Sequence, residues 1–166
     1  MKKTILIPTD FTIESLNLLK HLLSRKEGNC KYDIILSHGI YLTDSIPGLL
    51  FFSKDKLIAS LTNPLFEEAC AILRNKYASQ ISSIRKDVFT GFNQAAFNNY
   101  IAANKIDEAY IPVNYVLSRV NKKSVDLLPF IRKSALVVNK TTWESGTDLT
   151  EQGELSALFF NRLSTE

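Results

Sequence analysis

Residues Thr4-Ile5-Leu6-Ile7-Pro8-Thr9-Asp10-Phe11 decide how the chain is read. A short apolar run, Ile5-Leu6-Ile7, is cut off by Pro8 and followed at once by the polar pair Thr9-Asp10. A run that is apolar on both faces suits a strand covered on both sides, as strands of parallel sheets are. Proline cannot donate to a ladder, so pairing is expected to stop at Pro8. Thr9, Asp10 or Thr12 can then cap a helix, with Glu14 and Ser15 in its first turn. The order is strand, polar elbow, helix. In open parallel sheets, ligands bind just beyond the carboxyl ends of the strands. Thr9 and Asp10 occupy that place and are candidate ligand contacts, although capping alone is the simpler role for Asp10.

The alternation continues along the chain. Leu16, Leu18, Leu19, Leu22 and Leu23 recur at helical spacing and predict a helix from about Glu14 to Arg25. Gly28-Asn29 is a helix stop and turn. Asp33-Ile34-Ile35-Leu36-Ser37-His38 is a second strand with His38 at its carboxyl end. Gly39 to Phe52 reads as a loop with a short helical turn, and helices are expected over Lys54–Leu61 and Pro64–Ala78. Ile81–Thr90 is a more polar strand, placed at an edge. Asn93 caps a helix running to about Asn104. Asp107–Pro112 is strand four, closed by Pro112 as strand one is by Pro8. Most of Val113–Lys133 is expected to be helix, with Pro129 kinking, starting or ending a segment. Ala135–Val138 is strand five. Five strands alternating with helices predict an α/β fold with a doubly wound parallel sheet and helices on both faces.

Bulk properties narrow the functions. The chain has 166 residues, 45% hydrophobic and 22% charged, the make-up of one ordinary globular domain. A net charge of +3 is too small to imply nucleic-acid binding. No stretch approaches the roughly 20 apolar residues of a membrane span, and the apolar run after Met1-Lys2-Lys3 is too short for a secretory leader. Cys30 and Cys70 have no partner at metal-ligand spacing and form no disulfide framework. They read as reduced structural residues, hence a cytoplasmic protein.

Ile5-Leu6-Ile7-Pro8-Thr9-Asp10-Phe11 resembles the first strand of the universal stress protein family, with its terminal aspartate. Ile35-Leu36-Ser37-His38 resembles the second strand, Thr90-Gly91 through Ile101 and Asp107 the middle of the domain, and Ala135-Leu136-Val137-Val138 its last strand. The resemblance covers roughly residues 3 to 140. It implies a five-stranded parallel sheet in the order 3-2-1-4-5, related to the adenine nucleotide alpha hydrolase-like folds, and a homodimer.

One segment departs from the family. Nucleotide-binding members carry a glycine-rich signature after strand four, because glycines let the backbone approach phosphates and amides hold the charge. Here Pro112 to Ser124 contains no glycine. Asn114 stands about where the first glycine would be, Ser124 matches the final serine, and Tyr115, Val116 and Leu117 would crowd a phosphate. Relatives that cleave or transfer adenylates use a Ser-Gly-Gly loop after strand one, and Thr9-Asp10-Phe11-Thr12 has no glycine there. The expectation is therefore a dimeric, stress-type binding or signalling module without ATP or another cofactor, with a further protein as a candidate partner. The alternative is a divergent protein taking another small ligand or nucleotide at Thr9, Asp10, His38, Asn114 and Ser124. A third reading is a hydrolase built on Asp10 and His38, but no Gly-x-Ser-x-Gly elbow and no metal constellation supports it.

The domain boundary is placed at 140, with 141–166 as a tail. That tail is acidic, and Leu155, Leu158, Phe159 and Leu163 are spaced for one face of a short helix. An isolated helix of that length is marginal in water, so it is expected to dock on the domain or across a dimer.

Overall fold

The computed structural model describes residues 1–25, 29–42 and 44–143. The stop expected at Gly28 and the helix expected in the tail lie outside the described residues.

Strand β1 (Lys2–Pro8) is the middle of the sheet. Its side chains alternate between two cores, as a strand's must. Ile5 and Ile7 face one layer, with Leu18, Leu19, Phe66 and Leu73, and Leu6 faces the other, with Phe97, Ile111 and Ile131; all are fully buried or nearly so. The first layer is built by α1 (Asn17–Ser24), α3 (Lys54–Leu61) and α4 (Pro64–Lys76), and the second by α5 (Gln94–Ala103) and α6 (Leu128–Lys133). The short α2 (Ile46–Leu50) joins neither core and buries no residue. The remaining strands are β2 (Lys31–Ile40), β3 (Ile81–Phe89), β4 (Glu108–Pro112), the two-residue β5 (Ser124–Val125) and β6 (Val137–Thr141).

The order is β3-β2-β1-β4-β6, with all neighbours along it parallel. Without β5, this is the 3-2-1-4-5 order that the family resemblance implies. The more polar β3 is at an edge, as its sequence suggests, and the helix over Lys54–Leu61 is present. Asn93 caps α5 through a bond from the Ala96 amide, 2.8 Å. Among the described residues no helix is long and apolar enough to cross a membrane.

Three expectations are corrected. The predicted first helix begins as a separate 3-10 turn, Glu14–Leu16, before α1. Strand five runs over Val137–Thr141 rather than Ala135–Val138, because Ser134 bonds the Ile131 carbonyl and accepts from the Leu136 amide, so 134–136 form the exit turn of α6. Most of 113–133 is not helix. Only Leu128–Lys133 is, with Pro129 in the first turn, where its missing N–H costs nothing. From 113 to 127 the chain is an irregular loop containing β5. Val113, Val116 and Val120 are weak helix formers and Asn121 and Ser124 compete for backbone bonds.

That loop is fixed to the sheet at one point. β1 ends at Pro8, opposite Ser37, while β3 holds the other edge of β2 as far as Gly39. β5 takes up the edge of β2 that β1 leaves, pairing antiparallel at Gly39 and Ile40. A Cβ on Gly39 would meet the Val125 carbonyl oxygen at 2.4 Å, so only glycine permits this closeness. The loop is thereby drawn across the carboxyl ends of β1 and β2.

Candidate functional site

The elbow after β1 is strained and tightly held. Phe11 has φ of 58°, a left-handed conformation rare for a bulky residue. Its amide donates to Thr9 Oγ1 at 3.1 Å, and its carbonyl accepts from Asn63 Nδ2 at 3.0 Å. Its ring packs edge-on against Phe66 and lies 5.7 Å from His38. This turn aims Asp10 at the loop that follows β4.

Asp10 is 4% exposed and accepts four bonds. Thr12 donates its hydroxyl (2.5 Å) and amide (3.2 Å) to Oδ1. The Tyr115 hydroxyl (2.5 Å) and the Ser118 amide (2.9 Å) donate to Oδ2. Burial raises the Tyr115 pKa, as does its bond to Asp10. The helix cap expected of Asp10 is not formed, since neither the 3-10 turn nor α1 has a side-chain cap; Asp10 instead ties the loop to the elbow across more than one hundred residues of sequence.

His38 makes the second tie. Its Nδ1 lies 2.7 Å from the Thr9 carbonyl oxygen and its Nε2 lies 2.8 Å from Ser124 Oγ. The carbonyl can only accept, so Nδ1 carries the proton. Ser124 Oγ accepts from the amides of Val120 (3.0 Å) and Asn121 (3.2 Å), so its own hydrogen goes to Nε2. The network assigns a neutral imidazole protonated at Nδ1. Burial pulls the His38 pKa below the ordinary histidine value, against the opposing effects of the Thr9 bond and the charge of Asp10.

This arrangement has a nucleophile-like pair, Ser124 and His38, but not a nucleophile. The Ser124 hydroxyl donates to His38 Nε2, as a serine and its general base do, but both acceptor positions of Oγ already hold amide protons, so no lone pair is free to attack. Asp10 does not bond His38, so the Asp-His pair expected of a hydrolase is not formed.

Thr9, His38 and Ser124 come together and line a cavity of about 270 Å³, with Ser37, Gly39, Leu117, Arg119 and Leu127 also in its wall. Asp10 lies beside it, turned to the loop. Asn114 is elsewhere: it bonds both the amide and the carbonyl of Trp143, binding the exit of β6. Ser37 is held in turn by Tyr100, whose hydroxyl donates to the buried Asp87 at 3.0 Å. Sequence reasoning named Ser37 near the pair Asp10 and His38 but missed Tyr115 and Ser118 as partners of Asp10: the Ser118 contact is a backbone amide, which carries no residue signal, and Tyr115 reads as an obstacle to phosphate.

A pH dependence follows. The unfolded chain protonates histidine near 6.5, and folded His38 does so only lower. In that window the unfolded state binds more protons, so stability rises with pH. The contribution is fully present above about 6.5 and is lost as pH falls through the folded value. His21 is also shifted down, by burial and by Lys20 and Arg25, and adds in the same direction. Chemical denaturation from pH 7.5 to 5 is expected to show a falling midpoint, less steep in His38→Asn, whose amide keeps a donor for Thr9. Identical slopes in the two proteins would contradict the assignment.

Fold and site together define a doubly wound α/β domain whose carboxyl-end cleft is crossed and tied down by its own loop. Among solved structures the chain is similar to the universal stress protein UspA from Lactobacillus plantarum, at 13% identity over 83% of this chain and 96% of that one, TM-score 0.47. It is also similar to a universal stress protein in complex with cAMP (16% identity, 84% of this chain and 96% of that one, TM-score 0.46) and to a member of that family from Burkholderia pseudomallei (9%, 84% and 95%, TM-score 0.45). No protein-family model matches the chain, and no curated protein does.

Proposed function

We propose that the protein is a universal stress-type binding module that does not take ATP. One observation carries this reading. The amides a phosphate cradle would aim at a ligand are engaged within the chain: Ser118 by Asp10, Val120 and Asn121 by the Ser124 hydroxyl, and Lys123 by the Asn121 side chain. A phosphate must break those bonds before it gains its own, and charge-assisted bonds are worth about 1.5–3 kcal/mol each. Calorimetry with ATP is expected to show no binding tighter than the high-micromolar range. Low-micromolar binding would contradict the proposal.

The cavity favours a second reading, a small ligand other than ATP. Its volume of about 270 Å³ is just under the range of roughly 300–1,000 Å³ usual for ligand pockets. Its wall offers the hydroxyl of Ser37 among the apolar side chains of Leu117 and Leu127. Mass spectrometry of the purified protein after denaturation tests this: a stoichiometric small molecule supports it, and none in either cytosolic or recombinant preparations counts against it.

The proposal includes a homodimer in the cytoplasm. The sheet order ends at β6, and an edge strand with an exposed Val137 is a natural pairing surface. Sedimentation at twice the chain mass is expected, and a monomer at all concentrations contradicts it. Both cysteines are free, which supports a reducing compartment; burial pushes the Cys70 thiol up to about 12 and leaves it unreactive.

A further inference from the structure

The segment Ile46-Pro47-Gly48-Leu49-Leu50-Phe51 presents its apolar side chains to solvent. Ile46 is 72% exposed, Leu50 74% and Phe51 86%. Single exposed apolar residues are ordinary, but a contiguous group on an element that buries nothing marks a contact surface. We infer that this surface is the seat of the chain's own C-terminal segment, residues 155–163.

Three observations select that occupant. The first is place. In a parallel sheet every strand ends on the same rim, so α2, which follows β2, and Trp143, which follows β6, share it. Trp143 is anchored there: it is 9% exposed, bonded through its backbone to Asn114 and through its indole N–H to Glu14, and packed on Tyr115. From β6 to β2 is three strand spacings, about 14 Å. The twelve residues from Trp143 to Leu155 reach about 40 Å when extended.

The second is charge. Residues 144–166 hold Glu144, Asp148, Glu151, Glu154 and Glu166 against one base, Arg162. The backbone bond from the Tyr41 amide to the Lys123 carbonyl, 2.8 Å, sets the basic stretch Arg119–Lys123 beside the start of the α2 connection. The third is chemistry: Leu155, Leu158, Phe159, Phe160 and Leu163 supply apolar area of the same kind as the surface they would cover.

The test compares the full chain with one ending at Trp143, which keeps the Asn114 and Glu14 contacts. An apolar dye such as anilinonaphthalene sulfonate is expected to stay near its buffer fluorescence with the full chain and to brighten several-fold with the shortened one. Leu50→Asp with Phe51→Asp should abolish that rise; these side chains are outside both cores, and a thermal melt of the variant checks its fold. Equal fluorescence of the two chains, or a rise that survives the double substitution, overturns the inference. A Leu50→Cys and Phe159→Cys pair in a Cys30→Ser background is expected to oxidise within one chain, giving a compact monomer on a non-reducing gel. Bonds only between chains, which would assign the surface to a second copy, or no bond at all, also overturn it.

Discussion

Ile7→Ala is expected to lower the unfolding free energy by about 2–5 kcal/mol, a large share of a typical domain's stability. Ile7 has no exposed surface and is the penultimate residue of β1, the middle strand, which lies between β2 and β4. Its register partner is Leu36, itself fully buried, and the layer above it is formed by α1 and α4. A cavity at that point has neighbours fixed by the ladder to β2 and by two helices, so little collapse can fill it. Urea denaturation reads the effect as a lower midpoint at unchanged slope. An unchanged midpoint would show that β1 is not the core strand.

The second large effect is expected at the elbow. Asp10→Ala removes the acceptor for Thr12, Tyr115 and Ser118 together. Hydroxyls can rotate to water, but the Ser118 amide cannot leave its place without moving the loop. Stranding donors that had bonded a carboxylate costs on the order of 3 kcal/mol in total. Tyr115→Phe removes one of the four bonds and is expected to cost about 1 kcal/mol. Thermal melts of the two variants separate the contributions. If Asp10→Ala melts with the parent protein, Asp10 does not hold the loop.

Much of this architecture is legible in the residues. The break from Ile5-Leu6-Ile7 to Pro8-Thr9-Asp10 marks a buried parallel strand and its end, and β1 ends where Pro8 stands. Asn93 and Pro112 mark element boundaries for equally local reasons. The sheet order was readable only through the family resemblance, since strand neighbours are set by long-range packing. The segment 113–133 was misread because its apolar residues follow helical spacing. What overrides the periodicity is tertiary: Asp10 and Ser124 capture its amides, and Gly39 lets β5 close on β2. The missing glycines of 113–124 lead only to the expectation that no phosphate cradle forms there. They could not show that Asn114 is occupied with Trp143, or that Thr9, His38 and Ser124 alone of the candidates line the cavity.

On the proposed function, the loop's amides belong to Asp10 and Ser124 and not to a ligand. Amide hydrogen exchange at Ser118, Val120 and Asn121, measured with and without magnesium ATP, tests it directly. The predicted result is protection of all three amides in the free protein, unchanged by millimolar ATP, lost at Ser118 in Asp10→Ala and at Val120 and Asn121 in Ser124→Ala. Fast exchange of these amides in the free protein, followed by protection when ATP is added, would contradict it.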